Sequence, residues 1–143
     1  MGVIIGPRVV DAGTSLLSVL ISPVPVAAGY PSPAQDYFDG RIDLNEHLIK
    51  DITSTYVVRV SGDSMEGAGI SDGDELIVNR ALDPRDGSVV VAVLDGELTI
   101  KRLRFTATGV LLQAENPQYP DIRVAALSEL VIWGVATRCL HHV

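Results

Sequence analysis

VVVAVLDGELTIKRL, residues 89–103, decides the fold class. Two runs rich in valine, leucine and isoleucine flank Asp95-Gly96, the pair that supplies the two positive-φ residues of a type I′ turn, so the stretch reads as a β-hairpin. The same grammar extends outward in both directions. TYVVRV (55–60), ELIVN (75–79), SVVVAVL (88–94), ELTIKRLRF (97–105), VLLQAE (110–115), IRVA (122–125) and ELVIWGV (129–135) are short, rich in β-branched residues and bounded by turn pairs such as Asp-Gly, Asn-Pro and Thr-Gly. Seven such strands predict an all-β domain, a strand-rich sandwich or partly closed barrel.

Upstream the pattern changes. In RIDLNEHLIK, residues 41–50, Asp43 can cap a short helix, Glu46 follows three residues later, and Leu44 and Leu48 share a face. His47 in that helix reads as solvated, since a catalytic histidine needs a positioned partner. Residues 1–40 are punctuated by proline and glycine with no sustained period, which predicts an extended arm ahead of a β-rich domain spanning 41–143. Within the arm, PVPVAAGYPSPAQDY (23–37) is small, apolar and flanked by prolines around Ala28-Gly29, unlike either a helix or a long strand.

The 143 residues bound the chain to one domain with a tail, long enough for a core without disulfides or metal. A formal charge of −7 and only two lysines, Lys50 and Lys101, argue against unassisted DNA binding, which rests on cations neutralising phosphates. One cysteine, Cys139, excludes an intramolecular disulfide and a cysteine-based zinc site, fits a reducing compartment, and reads as a small buried residue in a late strand. The apolar run Leu16–Val26 resembles a secretory leader ending in small residues. Arg8 is offset by Asp11, however, Pro23 and Pro25 interrupt the run, and it falls short of the ~20 residues of a membrane span. A cytoplasmic protein with no membrane association is the expectation.

Two places can carry chemistry. RVSGDSMEGAGISDGD, residues 59–74, runs from a strand into a glycine-rich loop at Ser64, where a hydroxyl can sit beside backbone N–H groups; a plain turn is the other reading. Lys101, counted by twos along its strand, shares a face with Thr99, Leu103 and Phe105. Buried there it would lose its proton easily and serve as a base; on a solvated face it would only snorkel. The histidines, His47, His141 and His142, lie in the short helix or at the fraying C-terminus and supply a Ser-His-Asp triad poorly. No HExxH, phosphate-binding loop or dinucleotide fingerprint occurs, so no cofactor or metal is expected. If a serine is activated here, a Ser-Lys pair is the better candidate.

Taken together, SGDSM, ISDGDELIV, ELTIKRL with Lys101 placed 37 positions after Ser64, and AAGYPSPAQDY and RIDLNEHLI upstream resemble the LexA/UmuD family of self-cleaving Ser-Lys peptidases, in order from about Gly29 to Val135. The resemblance implies Ser64 as nucleophile, Lys101 as general base and then acid, the backbone N–H groups of Asp63 and Ser64 as oxyanion donors, and Ala28-Gly29 as the bond cut. It further implies an SOS-response role. Cleavage would be stimulated by RecA filaments on single-stranded DNA, and the shortened form, a homodimer, would join a Y-family DNA polymerase subunit of the UmuC kind. Only 28 residues precede the bond, too few for the helix-turn-helix domain of a LexA-type repressor, so sequence-specific DNA binding is not expected. Other readings stay open: a catalytically idle β-rich module whose arm covers a sheet edge, a signal-peptidase-like enzyme, and a phage-repressor-like regulator without its DNA-binding part.

Overall fold

The structure, a computed structural model, describes residues 3–9, 18–20, 25–30, 41–125 and 128–143. In chain order its elements are β1 (Val3–Val9), β2 (Ser18–Leu20), β3 (Arg41–Asp43), α1 (Leu44–Leu48), β4 (Thr55–Ser61), β5 (Glu75–Asn79), β6 (Val89–Leu94), β7 (Glu97–Thr106), β8 (Gly109–Gln113), β9 (Ile122–Arg123) and β10 (Leu130–Leu140). They fall into two compact units, one of residues 11–50 and the other of residues 1–10 with 51–143.

In the smaller unit β2 and β3 pair antiparallel, and α1 follows directly. The Asp43 carboxylate accepts the Asn45 N–H at 2.8 Å, satisfying one of the donors a helix start leaves open. The helix buries no residue, and His47 is exposed on it. Residues 25–30, with Ala28 and Gly29, are exposed and in neither helix nor strand. The rest of 23–37 lies outside the described residues.

The larger unit is all-β, as the hairpin and its neighbours predict. Its eight strands form one antiparallel sheet in the order β1-β4-β5-β10-β6-β7-β8-β9, and the two ends are not paired with each other. Seven of these strands are those read from the sequence. The eighth, β1, comes from the stretch expected to run as an arm, and its pairing with β4 slips register between Ile4 and Pro7. Proline has no N–H to give a ladder, so a proline-bearing strand is tolerated at a sheet edge, where β1 lies. The sheet curls enough to bring β1 near β7, although no ladder joins them. Register breaks within β10, between Ile132 and Gly134 and between Ala136 and Arg138, add local twist.

The curl explains why β6 reads as an unbroken apolar run: both its faces are covered. Val91, with Ile100 of β7, joins a core of Val58, Val60, Met65, Ile70, Leu76 and Val78. Val90 and Ala92 point the other way, with Leu103, Leu112 and Val135. The Asp95-Gly96 turn has φ of 49° and 83°, the left-handed values that a type I′ hairpin requires. Gly134 lies so close to β5 that a Cβ there would come within 2.5 Å of Val78 Cγ1, a side chain with no exposure of its own. Gly134→Ala should lower unfolding free energy by ~1–3 kcal/mol in urea denaturation, the usual range for overpacking. An unchanged midpoint would show that β10 can shift freely. Among the described residues no helix is long and apolar enough to cross a membrane.

Candidate active site

The site forms where the loop after β4 meets the middle of β7. β4 ends at Ser61, and Gly62 turns the chain at φ 96°, its N–H donating to the Asp72 carboxylate at 2.7 Å. Met65 then plunges into the first core cluster and anchors the loop beside Ser64, which is itself fully buried. A second set of bonds clips the loop to the segment after β8. The Glu115 N–H donates to the Ser64 carbonyl at 2.9 Å, and the Gly67 N–H donates to the Glu115 carbonyl at 2.7 Å. A Cβ at position 67 would meet that carbonyl oxygen at 2.5 Å, so the clip requires glycine.

Lys101 lies opposite Val90 in the β6–β7 ladder and is 1% exposed. Its Nζ is 3.2 Å from Ser64 Oγ, 3.0 Å from Thr99 Oγ1 and 3.1 Å from the Ile100 carbonyl oxygen. Three acceptors match the three donors of an ammonium group, yet none is a carboxylate, and no ion pair among the described residues includes Lys101. Burial without a counter-ion disfavours the charged form and brings the lysine from 10.5 down to about 8. Once deprotonated, the amine can keep two N–H bonds, to Thr99 and Ile100, and aim its lone pair at the Ser64 hydroxyl. That arrangement can draw a proton from serine near neutral pH.

Ser64 and Lys101, chosen from sequence, are thus brought together, and Thr99 shares their side of β7 as the alternation requires. Asp63 stands next to them. Its carbonyl accepts from Asn116 Nδ2 at 2.9 Å and from the Glu66 N–H at 3.3 Å, and its carboxylate accepts from the Tyr119 hydroxyl. That bond holds the Tyr119 phenol above its ordinary range. Neither Asn116 nor Tyr119 was legible as part of the site; the only signal was the Asn116-Pro117 turn pair. A cleft of about 410 Å³ opens here, with Asp63, Glu66, Glu115 and Asn116 in its walls. Arg102 of β7 pairs with the Glu115 carboxylate and donates to the Gly87 carbonyl at 2.7 Å, tying the clip to the strand of Lys101.

Cys139 does lie in the late strand β10, but half-buried, and its thiol donates to Asp74 Oδ2 at 3.2 Å. Burial first, and Asp74 second, push that thiol up to about 11. His141 is not frayed: its Nδ1 is 2.6 Å from Asp74 Oδ1. Burial opposes the ionised form of Asp74, and the Ser71 N–H, His141 and Cys139 outweigh it, leaving the carboxyl below its usual range.

Residues 20–137 match the family described as Peptidase S24-like. The chain belongs to this family. S24 peptidases of the LexA/UmuD type are self-cleaving serine peptidases linked to the SOS response, and the similarity extends across most of the chain. The Escherichia coli protein ImpA is 40% identical over 114 residues, covering 80% of this chain and 77% of ImpA. Salmonella typhimurium SamA is 42% identical over 114 residues, covering 80% and 79%. The LexA repressor of Delftia acidovorans is 47% identical over 111 residues, covering 78% of this chain and 49% of the repressor.

Proposed function

We propose that this S24 peptidase cleaves its own Ala28–Gly29 bond, with Ser64 as nucleophile and Lys101 as the group that moves the proton. The observation that carries this reading is the 3.2 Å approach of the Lys101 amine to the Ser64 hydroxyl in a buried site where, among the described residues, no carboxylate pairs with the amine to hold it charged. Neutral Lys101 takes the hydroxyl proton while Ser64 Oγ bonds to the Ala28 carbonyl carbon. The oxyanion that results is received by the backbone N–H groups of Asp63 and Ser64. The carbon–nitrogen bond then breaks, Lys101 returns its proton to the Gly29 nitrogen, and Ala28 is left as an ester on Ser64. A water that gives its proton to Lys101 opens the ester, Ser64 recovers a proton, and the products are a chain ending at Ala28 and another beginning at Gly29. The small Ala28 side chain suits a shallow site, and the prolines around it keep the segment extended with its backbone available.

The shortened chain, as a cytoplasmic homodimer, would serve as accessory subunit to a Y-family translesion polymerase, with RecA filaments on single-stranded DNA stimulating the cut. Support for these partners is the kinship with SOS-linked relatives, and the charge of −7 fits partnership with proteins better than direct binding to DNA.

The test is to incubate the full chain between about pH 6 and about pH 10 and follow loss of residues 1–28 by mass spectrometry. Because the neutral fraction of Lys101 grows through its value of about 8, the rate should rise roughly tenfold per pH unit below that point and level off above it. An intact mass throughout, with RecA filaments also present, removes the peptidase reading.

A further inference from the structure

The loop that carries Ser64 is gripped from outside by the turn at residues 116–119. Asn116 makes both ends of this grip. Its Oδ1 accepts the Gln118 N–H at 3.0 Å and its carbonyl accepts the Tyr119 N–H at 3.0 Å, which fixes the turn. Its Nδ2 then reaches across 53 residues of sequence to the Asp63 carbonyl at 2.9 Å. That carbonyl belongs to the same peptide unit as the Ser64 N–H. A donor on the oxygen of an amide draws electron density toward that oxygen and makes the N–H at the other end a stronger donor. It also fixes the plane of the peptide, and with it the direction of the N–H. The Glu66 N–H already contacts the same oxygen, at the longer distance of 3.3 Å.

We propose that Asn116 is a positioning residue of the oxyanion site: by donating to the Asp63 carbonyl it orients and polarises the peptide whose N–H, at Ser64, meets the developing negative charge. The inference rests on the peptidase reading above and assigns Asn116 no contact with the reacting atoms. Its purpose differs from that of the neighbouring Glu115 clip, which holds the main chain on the far side of Ser64.

Two variants separate donation from turn formation. Asn116→Asp keeps the size of the side chain and the oxygen that caps the Gln118 N–H, but it replaces the Nδ2 donor by an acceptor facing the Asp63 oxygen. Asn116→Ala removes both ends. Self-cleavage of the full chain is followed across pH by mass spectrometry, with melting temperature recorded for each protein. Both variants should lose ~10- to 100-fold in the plateau rate at high pH, less than the loss of a direct oxyanion donor. Melting temperatures should fall by no more than the few degrees that one or two hydrogen bonds cost, and the midpoint of the Asn116→Ala pH profile should stay with the parent chain, because that change adds no charge near Lys101. The proposal is overturned if Asn116→Asp cleaves at the parent rate, if the loss of rate is accounted for by the fraction unfolded at the assay temperature, or if the pH midpoint of Asn116→Ala moves. Absence of cleavage in the parent chain is a separate failure, visible before any variant is made, and it takes both readings down.

Discussion

Ser64→Ala should yield a folded chain that stays whole at every pH, with no residue 29–143 product detectable by mass spectrometry after incubations that convert the parent completely. Removing the nucleophile from a serine peptidase costs on the order of 10⁶-fold in rate. Within hydrogen-bond distance of the Lys101 amine, the other hydroxyl described is that of Thr99, 3.0 Å away. It sits two residues earlier on the same strand, is 4% exposed and accepts from the lysine, so it is poorly placed to replace the serine. Folding should survive the change. Ser64 is fully buried, but its main chain is held by Glu115 and its neighbour Met65 by the core, and neither hold uses the hydroxyl. Each side-chain hydrogen bond lost costs roughly 1 kcal/mol, a small shift in a chemical denaturation midpoint. Continued cleavage at Ala28–Gly29 by a folded Ser64→Ala chain would mean that another group attacks, and the assignment of the nucleophile would be wrong.

The seven strands from Thr55 onward could be read because each is a block of β-branched residues ended by a turn pair, and local sterics decide both features. β1 could not. Its pairing with β4 is a main-chain matter that leaves no alternation of side chains to read, and Gly6-Pro7 has the look of an interruption rather than of a register slip. Ser64 and Lys101 could be named as candidates because the motifs around them resemble those of a known family; locally, a serine in a glycine-rich turn and a lysine with apolar neighbours each left a plain structural reading open. Their distance was not legible, since face parity along β7 groups Lys101 with Thr99 but says nothing of what lies across the fold. The same limit hid Asn116 and Tyr119, which reach Asp63 from 53 and 56 positions away. It also hid the bond of His141 to Asp74, 67 positions back. Contacts of this kind depend on how the sheet orders and curls its strands, and a C-terminal histidine looks frayed until the strand before it is seen pairing with β5.

Lys101→Met should abolish cleavage as thoroughly as Ser64→Ala, and it should also change how stability depends on pH. In the folded chain the lysine titrates near 8, held down by burial, against 10.5 for the exposed side chain of the unfolded one. Below about 8 both states carry the proton, and the folded state bears the full penalty of a buried ammonium. Between about 8 and 10.5 the unfolded chain binds more protons than the folded one, so unfolding free energy rises with pH. Above that window both are neutral and the penalty is gone. The rise attributable to Lys101 is about 3 kcal/mol, from the shift at 1.36 kcal/mol per pH unit. Methionine has similar length and no charge, so the variant should lack this rise, and subtracting its curve from that of the parent removes the contributions of tyrosines and Cys139 in the same range. Absolute stability is a poorer readout, because methionine also removes the three hydrogen bonds that the amine makes to the Ser64 and Thr99 hydroxyls and the Ile100 carbonyl, each worth roughly 1 kcal/mol. Urea denaturation of both proteins at several pH values supplies the comparison. Parallel curves would mean that Lys101 titrates in the folded chain as it does in the unfolded one, near 10.5, and an amine that stays charged at neutral pH is a poor base for serine.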